Sequence, residues 1–96
     1  MQTLQEIKSA LSFHKSRLFR DYPVESMAVF GSYSRREQNN ISDLDILVEF
    51  SGKIGIRFID LAEELEKITR CRVDLVSTKG IQEKYLKAIR SDLVYV

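Results

Sequence analysis

The 96-residue sequence has one cysteine, one proline, one histidine and four glycines, and its charges nearly cancel: 15 Lys+Arg against 14 Asp+Glu leave +1. A lone thiol, Cys71, excludes an internal disulfide and a cysteine-based zinc site, so packing must hold the fold, as in a reducing compartment. The balanced charge offers no bulk basic field to draw nucleic acid or an acidic membrane. No apolar run approaches the roughly 18 residues of a membrane span. Met1 to Ala10 is polar with apolar residues at helical spacing, unlike a secretory signal. There is no internal repeat, no low-complexity tract and no linker rich in Gly, Pro or Ser. These absences exclude secreted, transmembrane and zinc-ribbon proteins and leave a cytoplasmic, soluble domain. With 44% hydrophobic and 30% charged residues, residues 1–96 are expected to form one domain around a two-layer core.

Leu4, Ile7, Leu11, His14 and Leu18 form the apolar stripe of a first helix, which Pro23 stops near Arg20. Val24–Phe30 reads as a buried strand ending at Gly31, and Tyr33–Glu37 as the start of a short helix. In the strand Leu44–Phe50, Leu44, Ile46, Val48 and Phe50 share one face, while Asp43, Asp45, Leu47 and Glu49 share the other. A helix follows through Phe58, Leu61, Leu65 and Ile68. Then come a strand over Cys71–Val76, a helix over Ile81–Ile89 and a terminal extended segment, Leu93–Val96. Phe13, Phe19 and Phe58 are expected in the core. The pattern implies an α/β (α+β) domain, a small sheet flanked by helices.

Asp43 and Asp45 leave the same face of their strand about 7 Å apart. Such carboxylates repel unless a cation sits between them, and they suit Mg²⁺, whose other positions take water and phosphate oxygens. Asp74, inside the apolar run Val73–Val76, needs a partner because an unpaired charge there is costly. If its strand lies beside the second, all three aspartates can converge on one metal centre; alternatively, Asp43 caps a turn and Asp74 pairs with Arg72. Upstream, Gly31 lets a phosphate approach the backbone, and Ser32 adds a hydroxyl where a helix start attracts anions. Arg35, Arg36 and Lys79 are candidates to neutralise a triphosphate.

Gly31-Ser32, ten residues, then Asp43-Leu44-Asp45 within a strand matches the Gly-Ser-x10-Asp-x-Asp signature. The sequence resembles the minimal nucleotidyltransferases of the DNA polymerase β-like superfamily over nearly its whole length. The resemblance implies a small mixed sheet flanked by helices, the polymerase β-like fold. It implies that Asp43, Asp45 and Asp74 bind two Mg²⁺ ions, with Asp74 activating an acceptor hydroxyl. Gly31 and Ser32, with Arg35 and Arg36, would hold the phosphates of ATP. The acceptor would attack the α-phosphorus and pyrophosphate would leave. It further implies an antitoxin that transfers AMP to a tyrosine of a small helical HEPN-type RNase toxin. One position departs: where the group commonly has Arg-Gly-Glu, this chain has Arg36 in the middle, which puts the local loop geometry in question. Competing readings are a non-catalytic antitoxin that neutralises its partner by contact, and a nucleotidyltransferase acting on a small molecule or RNA.

Overall fold

The computed structural model describes residues 2–96, leaving Met1 of the polar N-terminal stretch outside. Its elements are α1 (Leu4–Asp21), β1 (Val24–Phe30), β2 (Leu44–Phe50), α2 (Arg57–Thr69), β3 (Val73–Ser77), α3 (Glu83–Ile89), a 3-10 turn (Arg90–Asp92) and β4 (Val94–Tyr95). Thr3 and Glu6 start α1 by capping each other. The Thr3 hydroxyl accepts from the Glu6 N–H at 3.1 Å, and the Glu6 carboxylate accepts from the Thr3 N–H at 3.0 Å, which satisfies two of the donors a helix start leaves free. At the other end, Pro23 holds Tyr22 extended at φ −124°, ψ 150°.

The sheet order is β3-β2-β1-β4, with β1–β2 and β1–β4 antiparallel and β2–β3 parallel. Parallel neighbours need a crossover, and α2 provides it. Strand alternation then assigns the faces. Met27, Val29, Leu44, Ile46 and Val48 join Ile7, Leu11, Leu18, Leu61 and Leu65 in the main core under α1 and α2. On the reverse face Phe30 and Leu47 meet Ile89, Leu93 and Val76 in a smaller core supplied by the end of the chain. Asp45 and Asp74 alternate with Leu47 and Val76 and so belong to this reverse face. At the helix rim, Arg17 donates to Glu64 at 2.8 Å, and the Tyr22 hydroxyl donates to the same carboxylate.

Two expectations change. Phe13 falls opposite the Leu11–Leu18 stripe and is 85% exposed rather than in the core, whereas Phe19 and Phe58 do pack against it. The short helix after Gly31 is a single turn. The Arg35 N–H donates to the Gly31 carbonyl at 3.1 Å. The Glu37 N–H then reaches the Ser32 carbonyl at 2.8 Å, and the Arg36 N–H reaches the Tyr33 carbonyl at 3.2 Å. These last two bonds form a Schellman closure, which calls for a left-handed residue, and Arg36 takes that role at φ +58°.

Candidate active site at one end of the sheet

Because β1 runs against β2 while β3 runs with it, the end of β1 meets the starts of β2 and β3. The signature residues converge there. Asp45, second in β2, lies opposite Phe30 on one side and Asp74 on the other. Gly31 follows Phe30 at φ +75°, and a Cβ there would collide with Asp45 Oδ2 and stand 3.1 Å from its Cγ. Glycine is therefore required both by the backbone angle and by the carboxylate seated against it.

Asp45 is half-buried, and Asp74 and Asp43 add their negative charge to its burial. Its carboxyl is pushed up to about 6, first by burial and then by Asp74 and Asp43; the Arg35 charge opposes this. An all-oxygen set that repels itself in this way is the kind of site a hard divalent cation relieves. Asp45 and Asp74 fit that role as they stand. Asp43 does not join them directly: Arg72 Nε lies 3.3 Å from its Oδ1. Among the described residues no three acidic, histidine or cysteine side chains are gathered closely enough to hold an ion together. The expected three-way convergence is thus a pair with Asp43 drawn aside, and Arg72 partners Asp43 rather than Asp74. Both members of that ion pair are exposed, so parting them costs at most about 1 kcal/mol.

The turn after β1 supplies donors. Among the described residues the backbone N–H groups of Ser32, Tyr33 and Ser34 donate to no protein acceptor, while the Ser34 hydroxyl braces the Gly31 carbonyl at 3.0 Å. Arg35 is half-exposed and held by two carboxylates, Glu37 at 3.0 Å and Asp92 at 2.7 Å. Arg36 does not share this arrangement. It lines a separate recess of about 350 Å³ with Thr3, Leu4, Gln5 and Gln38, so its contribution here is the backbone turn. Lys79 makes no ion pair among the described residues.

Two features carried no sequence signal. Asp92 reaches Arg35 across 57 positions, beyond any local pattern. On the other flank of Asp43, a recess of about 500 Å³ opens between Tyr33, the 39–42 loop, Cys71 and Arg72. Tyr33 is buried there with its hydroxyl 3.7 Å from Cys71 Sγ, and burial above all raises its hydroxyl to about 12, so it remains a neutral donor.

Comparison with known proteins agrees with this geometry. Residues 14–94 match the family described as "Polymerase beta, Nucleotidyltransferase". Along its full length the chain is 47% identical to the full length of a Methanocaldococcus jannaschii protein provisionally named a protein adenylyltransferase. It is 41% identical to protein adenylyltransferase MntA of Thermococcus cleftensis, across the whole chain and 98% of that protein. A solved structure described provisionally as a minimal nucleotidyltransferase superposes with a TM-score of 0.82 at 28% identity, covering 97% of this chain and 95% of that one. A crystal structure of a toxin-antitoxin with AMP-PNP superposes with a TM-score of 0.60 at 30% identity, covering 73% of this chain and 59% of that one. No helix among the described residues is long and apolar enough to cross a membrane. On the profile over residues 14–94 and a fold matched along nearly its whole length, the chain belongs to the polymerase β-type nucleotidyltransferases, in their minimal form.

Proposed function

We propose that this chain transfers AMP from ATP to a hydroxyl of a partner protein, a tyrosine of a small helical HEPN-type RNase toxin, and thereby acts as its antitoxin. The observation that carries the reading is the Asp45–Asp74 pair set across adjacent strands beside the Gly31 turn. The unpaired N–H groups of Ser32 to Ser34 and the Ser32 hydroxyl receive the β- and γ-phosphates, and Arg35 neutralises them. Asp74 is exposed at the start of β3, so an acceptor reaches it from solvent and gives its hydroxyl proton to a carboxylate oxygen. The new bond forms between the acceptor oxygen and the α-phosphorus, and the bond to the β-phosphate oxygen breaks, releasing pyrophosphate. Asp45 and Asp74, with Asp43 once released from Arg72, would hold two Mg²⁺ ions, which would supply positive charge to the phosphoryl oxygens.

The partner reading is supported by the names of the relatives and by the toxin-antitoxin neighbour. The test is transfer from α-labelled ATP with Mg²⁺ in an extract of the source cells, with Asp43→Ala/Asp45→Ala in parallel. Label in one protein band, present only with the native chain and mapped to a tyrosine, is the expected result. Label confined to RNA or small molecules would reject the protein acceptor. A partner that co-purifies unlabelled and is neutralised equally by the double variant would make this a contact antitoxin.

A further inference from the structure

We infer that Asp92, from the last turn of the chain, is a positioning residue for nucleotide binding: it holds the Arg35 guanidinium at the phosphate end of the site. The inference rests on the reading above that the turn after β1 receives the triphosphate.

Three observations fix Asp92 where it acts. Ile89 and Leu93 on either side of it pack with Phe30, the residue before Gly31. Immediately after, β4 pairs with β1, Val94 opposite Val29 and Tyr95 opposite Ala28. The carboxylate between these anchors is only 19% exposed and meets Arg35 Nη1 at 2.7 Å, whereas the Arg35 side chain is 45% exposed. The rigid partner is therefore Asp92, and the side chain being disciplined is Arg35.

An arginine at a half-exposed site loses rotamer freedom whenever it engages a ligand. Here that loss is met in advance. Glu37 takes Nε and Asp92 takes one Nη1 hydrogen, which leaves the other N–H donors of the fork for a phosphate. Arg35 also lies near enough for its charge to act on Asp45, so the tether keeps it on the aspartate side of the turn. Asp92 brings a negative charge of its own that opposes phosphate, and ordering the Arg35 fork outweighs it, a balance that the sign of the Asp92→Asn effect reads.

The test measures affinity with no acceptor present. The intact protein is titrated in Mg²⁺ with an ATP analogue carrying a methylene between the α- and β-phosphorus, and separately with AMP. Asp92→Asn is expected to weaken the ATP analogue about fivefold or more, the worth of one charge-assisted contact, and to leave AMP unchanged. Asp92→Glu should recover most of the loss. In an Arg35→Ala background, Asp92→Asn should add nothing. Equal weakening of both nucleotides with a lowered melting temperature would make Asp92 merely structural and overturn the inference. Tighter binding of the ATP analogue by Asp92→Asn would overturn it too, as would additive losses in the double variant. If Arg35→Ala alone binds the analogue normally, the placement of the triphosphate itself fails; a large Arg35→Ala effect with an unaffected Asp92→Asn rejects the positioning role alone.

Discussion

Asp45 is the residue whose surroundings conflict most with its own charge. Its carboxyl titrates near 3.8 in an unfolded chain and at about 6 here. Below about pH 4 both states carry the proton and the site costs nothing. Between those values the folded chain keeps a proton that the unfolded chain has released, so stability falls as pH rises through the window. Above about 6 the whole penalty stands, on the order of 3 kcal/mol before solvent screening at this half-buried carboxyl lowers it. Asp45→Asn is accordingly expected to raise the melting temperature of the metal-free protein at pH 8, to leave it nearly unchanged at pH 4, and to abolish nucleotidyl transfer. Thermal melts in a chelator at the two pH values check the first part. The paired spacing of Asp43 and Asp45 was legible in the sequence because a strand repeats every second residue. The drift of Asp43 toward Arg72 was not, since that contact joins the lead-in to two different strands.

Among the elements, the turn after β1 departs most from its expected form. Strand ends were readable where Pro23 and Gly31 punctuate them, and β1 and β2 occupy the expected residues. The five residues after Gly31 hold no glycine or proline; only the family's Arg-Gly-Glu marks a turn there, and this chain makes it with a left-handed Arg36. Arg36→Gly removes the cost of that backbone angle, and about 0.5–1 kcal/mol of added stability is expected, read by urea denaturation. ATP affinity should stay the same, because the Arg36 side chain faces the other recess. Between α1 and α2, Glu64 gathers the Tyr22 hydroxyl and Arg17, and these hold its carboxyl below the ordinary range, Tyr22 foremost. This contribution is present above the ordinary carboxylate pKa and is lost as pH falls through the lowered value. Glu64→Ala should cost about 1–2 kcal/mol at pH 7, and the difference from the native chain should shrink in acid.

For the molecule as a whole, the sheet divides labour between its faces. One is sealed by α1 and α2; the other is shared between a small apolar cluster and the acidic residues. Ile89 and Leu93 bring the C-terminal region into that second cluster, while Val94 and Val96 pack against the main core, so the segment from Leu93 onward supports both the fold and the site. Removing residues 93–96 deletes the β4 pairing with β1 and takes Leu93 from the cluster that holds Phe30. A loss of about 2–4 kcal/mol is expected, measured by chemical denaturation. The alternating order of helices and strands made this architecture readable from sequence. The position of β4 beside β1 was not, because two paired residues leave too short a pattern to register.

β3 is the outermost strand on its side, with no neighbour beyond it among the described residues. A bare strand border invites a second copy to add on, and a charged side chain near its start discourages that. Asp74 stands second in β3, exposed and acidic. Glu66 already accepts from the Val73 N–H at 2.9 Å at the start of that border, so two carboxylates stand where a second strand would have to begin pairing. The position proposed for the base is thus also one where an apolar side chain would leave the outer strand less guarded, and sedimentation of Asp74→Val beside the native chain reads that second effect.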